Sequence, residues 1–144
     1  MAGETTTTTQ TAAGITAKHS SFAGHVVAET VSHSVATTEL QLNDVIQMVK
    51  VPKGATVLDV ILVSTDIDTN GAPAVVLAVG DADDNDYYVT GSTIGQAGGI
   101  VRSNALTAKP KTYTADDTID VTVTTAAATA AAGTISLTVL YTTN

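Results

Sequence analysis

Few residues in this chain could do chemistry, and their spacing works against most of it. A hydrolytic triad needs a serine held by a histidine that a carboxylate orients. His33 has Ser32 and Ser34 beside it, but neighbours on an extended strand point to opposite faces, and the sequence has no Gly-x-Ser-x-Gly elbow. His25 and His33 share strand parity, yet the extended chain between them spans roughly 26 Å, too far for one metal ion. His19, His25 and His33 are therefore read as surface or interface histidines.

The sharpest local feature is the run Gly80-Asp81-Ala82-Asp83-Asp84-Asn85-Asp86. Calcium takes six to eight oxygen ligands, and Asp81, Asp83 and Asn85 alternate as such a site requires. An EF-hand loop starting at Asp81 would need glycine at Asp86 and glutamate at Ser92, so that motif fails. Asp and Asn also favour ordinary turns, where their side chains bond the local backbone. The solvated turn is the preferred reading and calcium the alternative; no other cofactor is expected. Asp66-Ile67-Asp68-Thr69-Asn70 poses the same question more weakly. Asp116-Asp117 and Asp83-Asp84 could suggest a glycosidase pair, but adjacent acids point apart on strands, and the chain has no Trp to form a sugar platform. Gly91–Gly99 lacks the Gly-Lys-Ser/Thr ending of a phosphate loop and reads as a mobile loop. The inventory points away from an enzyme.

The elements that must carry these residues follow from composition. A chain of 144 residues fits one domain and buries a core without staples. No cysteine is present, which removes disulfides, thiol catalysis and Cys-based zinc sites together. Charged residues make up 14%, and Val, Ile, Thr and Ala dominate. β-Branched side chains suit a pleated surface. A net charge of −8 with Arg102 as the one arginine disfavours nucleic acid and anionic membranes. No run approaches a membrane span, and Met-Ala-Gly-Glu-Thr-Thr-Thr lacks the basic start of a signal peptide, so synthesis in a cytoplasm is expected.

Residues 1–20 contain Thr5, Thr6, Thr7, Thr8 and Thr9 in succession, with Ile15 as the one large aliphatic after Met1. Such a segment buries too little surface to offset its ordering entropy. It reads as a flexible arm, ordered where it lies along a neighbour. Residues 21–144 read as short strands divided by turns. A first strand covers Gly24–Ala36 and a second Leu40–Val51, ending at the turn Val51-Pro52-Lys53-Gly54. Thr56–Ser64 is apolar on both faces except Asp59 and should be covered on both sides. Asn70-Gly71 signals a hairpin. Ala74–Val79, Tyr87–Thr90 and Ile100–Thr107 follow, and Lys109-Pro110-Lys111 breaks the pattern. Ile119, Val121 and Val123 alternate with Asp120, Thr122 and Thr124. Ile135, Leu137, Val139 and Tyr141 alternate with Thr134, Ser136 and Thr138. Such alternation marks one dry and one wet face. The alanine-rich stretch 126–132 is too short for an independent helix and reads as a loop joining adjacent strands. The expected fold is all-β, a single antiparallel β-sandwich, jelly-roll-like, with a flexible N-terminal arm.

Three stretches carry a family resemblance: Leu42-Asn43-Asp44-Val45-Ile46-Gln47-Met48-Val49-Lys50-Val51-Pro52-Lys53-Gly54-Ala55, Val57-Leu58-Asp59-Val60, and Val79-Gly80-Asp81-Ala82-Asp83-Asp84-Asn85-Asp86-Tyr87-Tyr88. Over residues 40–90 the sequence resembles the decoration, or cement, proteins of tailed-bacteriophage capsids. In those proteins a Pro-Lys-Gly-Ala turn feeds a buried strand and a Val-Gly-Asp turn closes a hairpin. The resemblance implies a virion protein on the capsid exterior that bridges major capsid protein subunits, with the major capsid protein and copies of itself, as dimer or trimer, for partners. A tail-fibre, receptor-binding or surface-adhesion module is the alternative. Such modules usually carry aromatic hot spots, whereas the five aromatics here are spread along the chain.

Overall fold

The computed structural model describes residues 5–7 and 25–143. Ten strands order along the chain as β1 (Thr5–Thr7), β2 (Val26–Val35), β3 (Val45–Val51), β4 (Thr56–Ser64), β5 (Val76–Gly80), β6 (Val89–Ser92), β7 (Gly99–Arg102), β8 (Lys111–Thr112), β9 (Asp117–Thr125) and β10 (Gly133–Thr142). One sheet runs β1-β3-β9-β5-β6 and the other β2-β10-β4-β7, with β8 also paired to β4. All pairings among the described strands are antiparallel except β1 with β3. Two 3-10 turns, Thr37–Glu39 and Ile94–Gln96, are the only helical pieces among the described residues. The molecule is an all-β sandwich.

The chain passes between sheets at nearly every connection, and β5–β6 is the one hairpin whose strands stay together. The strands nest as antiparallel pairs: β2 with β10, β3 with β9, β4 with β7, and β5 with β6. Strand parity explains the core. On β10, Ile135, Leu137, Val139 and Tyr141 turn inward and are fully buried; on β9, Ile119, Val121 and Val123 meet them from the opposite sheet. Each fully buried aliphatic contributes about 1.5–3 kcal/mol relative to exposure. On β3 the register shifts between Gln47 and Val49, so that Ile46, Met48 and Val49 are all buried. Such a bulge breaks the period of two and bends the strand.

Five expectations need correction. β4 is not covered on both faces: Leu58 and Val63 stand 40% and 42% exposed, because nothing among the described elements packs on the outside of that sheet. Asn70-Gly71 makes no hairpin, since β4 and β5 lie in different sheets. Asn70 Oδ1 instead accepts from Ala72 N–H at 2.9 Å and its amide donates to Thr129 Oγ1 at 2.8 Å. Residues 91–99 form a packed crossing rather than a mobile loop. Gly95 sits where an added Cβ would meet the Ile67 and Val75 side chains at 3.0 and 3.1 Å. The face of β9 expected to be wet is not: Asp120 and Thr122 are 6% and 2% exposed. The alanine-rich stretch is a loop, but it joins strands of opposite sheets.

Candidate functional site

The acidic turn closes the β5–β6 hairpin, and its geometry follows from Gly80. A Cβ there would lie 2.0 Å from the Asp84 carbonyl oxygen, so only glycine admits the fold-back. Asp81, 3% exposed, becomes the hub of the turn. Its Oδ1 accepts from Asp83 and Asp84 N–H at 3.1 and 3.2 Å. Its Oδ2 accepts from Lys111 Nζ and Tyr113 OH, both at 2.6 Å, and Tyr113 OH lies 2.9 Å from Tyr88 OH. Lys111 Nζ also stands 4.9 Å from the Tyr87 ring centre and 5.2 Å from that of Tyr113. Burial alone would raise the Asp81 pKa; the Lys111 and Tyr113 hydrogen bonds outweigh it and hold the carboxyl below its usual value. The same burial, with the Asp81 bond added, drives the Tyr113 hydroxyl far above its ordinary range.

The candidate calcium ligands are thus placed but not brought together. Asp81 directs its oxygens to protein donors, and Asp83 lines a hollow of about 120 Å³ with Lys111, Tyr113, Asp116 and Asp117. Asn85 lies against Gly80 through its backbone. No group of three or more His, Cys, Asp or Glu side chains among the described residues is arranged to hold a metal ion. Three of the four tyrosines gather here, although the sequence scatters them. The signal was Lys111 opening the short β8 after a proline, with Tyr113 just past its end.

The second acidic stretch resolves in a similar way. Asp68, 1% exposed, accepts backbone N–H bonds from Ala74, Val75 and Ala128 on one oxygen, at 2.7–3.0 Å. Its other oxygen accepts from Thr129 at 2.7 Å and, at 3.4 Å, from Asn70. Burial would raise its pKa, but these bonds drive it far below the carboxylate norm. The acid pair at 116–117 is likewise tied to backbone: Asp116 accepts from Lys53 N–H and Asp117 from Thr118 N–H, both at 2.8 Å. His33, half-buried, reaches the Glu39 carboxylate at 3.1 Å. These histidine and carboxylate groups are held in structural bonds to their neighbours.

Two surfaces bear on assembly. The outer face of the β2-β10-β4-β7 sheet aligns Ser32, Ser136, Val63 and Ile100 in one cross-strand row. Ile100 is 66% exposed. The next row brings Arg102 onto Asp59 in an ion pair, so this face cancels its own charge. The second surface is the edge of β3, which Thr5, Thr6 and Thr7 cover by pairing in parallel with Val45, Ile46 and Gln47. Thr8, Thr9 and Ile15, also assigned to the arm, lie outside the described residues. No helix of the described chain is long and apolar enough to cross a membrane.

Solved bacteriophage capsids contain chains similar to this one. A chain in the capsid of Ralstonia phage GP4 superposes with a TM-score of 0.82 at 28% identity, over 97% of this chain and 98% of that one. A chain of the cyanophage Pam1 capsid asymmetric unit gives 0.75 at 30% identity, over 90% and 93%. A chain of the acid-stable capsid of Helicobacter pylori bacteriophage KHP30 shares the fold, with a TM-score of 0.59 at 21% identity. No protein-family model and no curated protein sequence matches. The chain belongs with the bacteriophage capsid proteins. It is a structural component of a virion.

Proposed function

We propose that this protein decorates the outside of a phage capsid and cements it by bridging major capsid protein subunits. The observation that carries the reading is end-to-end similarity to a capsid chain: almost all of both chains is covered, so the shared unit is this small sandwich alone. The strand nesting, β2-β10-β4-β7 against β3-β9-β5-β6, supports the jelly-roll form of the fold. A compact unit with a charge-balanced outer face suits an accessory that docks on a preformed lattice. Binding many equivalent sites on the mature shell stabilises it by mass action, and repetition adds avidity.

We assign shell contact to the outer face carrying Val63 and Ile100. The test is to add purified protein to capsids lacking it, follow binding by sedimentation, and heat the particles. Bound protein and a raised temperature of genome release are expected, and Ile100→Asp should weaken binding at least tenfold while keeping the sheet spectrum. Undiminished heat resistance in particles lacking the protein would overturn the cement role. Binding to a glycan array but not to capsids would favour a receptor-binding module.

A further inference from the structure

The pairing of β1 with β3 is short and differs in kind from the others in the sandwich. It has three register pairs and is the one parallel pairing among the described strands; parallel ladders are slightly less stable per residue than antiparallel ones. Side chains usually fix register, but Thr5–Thr9 repeats one residue type and offers no side-chain distinction between registers. The stretch of sequence between β1 and β2 is also long. Val26 pairs with Thr142, and Thr142 with Thr56, so β2 begins at the end of the sandwich where β3 turns into β4. Thr7 pairs with Gln47, four residues before Val51. The direct path from Thr7 to Val26 is therefore on the order of 15–25 Å, from strand rise and sheet spacing. Residues 8–25, fully extended, reach about 60 Å.

We propose that Thr5–Thr7 is an exchangeable strand, and that the β3 edge at Val45–Gln47 accepts the Thr5–Thr7 segment of a second copy of this chain. The trans contact is the cis contact repeated, so exchange sacrifices no bonds, which is the basis of swapped assemblies. It also keeps covered an edge whose unpaired backbone groups would otherwise invite uncontrolled pairing. This goes beyond shell binding, because it concerns how copies hold one another.

The chain has no cysteine of its own, which permits a direct test. Thr5 and Val45 are register partners, and neighbouring strands lie about 4.8 Å apart, within disulfide reach. Full-length T5C and V45C chains, distinguished by mass, are mixed under mild oxidation. A T5C–L106C mixture controls for random collision, since Leu106 is fully exposed. Exchange predicts a T5C–V45C heterodimer in roughly tenfold excess over the control, as paired ends share a high effective concentration. Heterodimer no more abundant than the control, with the T5C/V45C double variant closing only within one chain, overturns the proposal. A chain lacking residues 1–7 supplies the second readout by sedimentation. Conversion of oligomers to monomers with the sheet spectrum retained supports exchange. An oligomer mass unchanged by the deletion, or a monomeric full-length chain at millimolar concentration, overturns it. Neither readout uses capsids, so failure here leaves the decoration reading standing, and the reverse also holds.

Discussion

Asp68 shows how one side chain can replace a stretch of secondary structure. The loops at 66–75 and 126–132 have no ladder of their own beyond one bridge, Asp68 to Ala130, and a buried carboxylate satisfies the backbone N–H groups of both. Asp68→Ala leaves those donors unpaired, each at about 1–3 kcal/mol if it stays dry. We expect a loss of about 3 kcal/mol or more in urea denaturation. Asp120 works in the opposite sense. Its Oδ1 is buried with no partner among the described residues, and burial, followed by the nearby charges of Asp117 and Asp81, pushes its pKa up to about 7. The folded carboxyl then keeps a proton that the unfolded one loses near pH 3.8. Between these values the folded state binds more protons, so stability falls as pH rises from 4 through 7. Asp120→Asn should flatten that part of the stability–pH curve, measured by thermal melts at stepped pH. Because Lys111 and Tyr113 occupy Asp81 Oδ2, we expect chelation with EDTA to leave the melting temperature unchanged. A drop of several degrees would assign an ion to the acidic turn.

Among elements, the β5–β6 hairpin depends on Gly80. In Gly80→Ala the methyl meets Asp84 backbone rather than a movable side chain, so the turn must open and release Asp81 from Lys111. A loss above about 3 kcal/mol is expected, against about 1 kcal/mol for Gly54→Ala, where φ is +88° but space is free. The strands themselves were readable because Val, Ile and Thr alternate on β9 and β10 and a Pro-Lys-Gly turn ends β3. Three kinds of fact were not readable. Pairing between distant strands leaves no local trace, so Asn70-Gly71 looked like a hairpin. Bulges at Gln47–Val49 and Leu140–Tyr141 break the parity on which face assignment rests. Clusters such as Asp81 with Lys111, Tyr113 and Tyr88 are assembled by topology from residues far apart in the chain, and the Asp-rich run alone read as a solvated turn with calcium as the alternative.

For the whole molecule, the order of strands matters more than their composition. β10 lies between β2 and β4, and β9 between β3 and β5, so the centre of each sheet comes from the last third of the chain. Removing residues 133–144 should abolish the cooperative thermal transition rather than lower its midpoint. Refolding of the intact chain should fall in the millisecond-to-second range typical of sandwiches dominated by distant contacts.

That central position of β10 also has a temporal consequence. A ribosome releasing this polypeptide exposes nine strands before the keystone emerges, so prematurely terminated products have no native surface to offer. On the decoration reading, a preformed shell would then bind finished molecules and ignore fragments, a proofreading step enforced by chain order without any dedicated sensor.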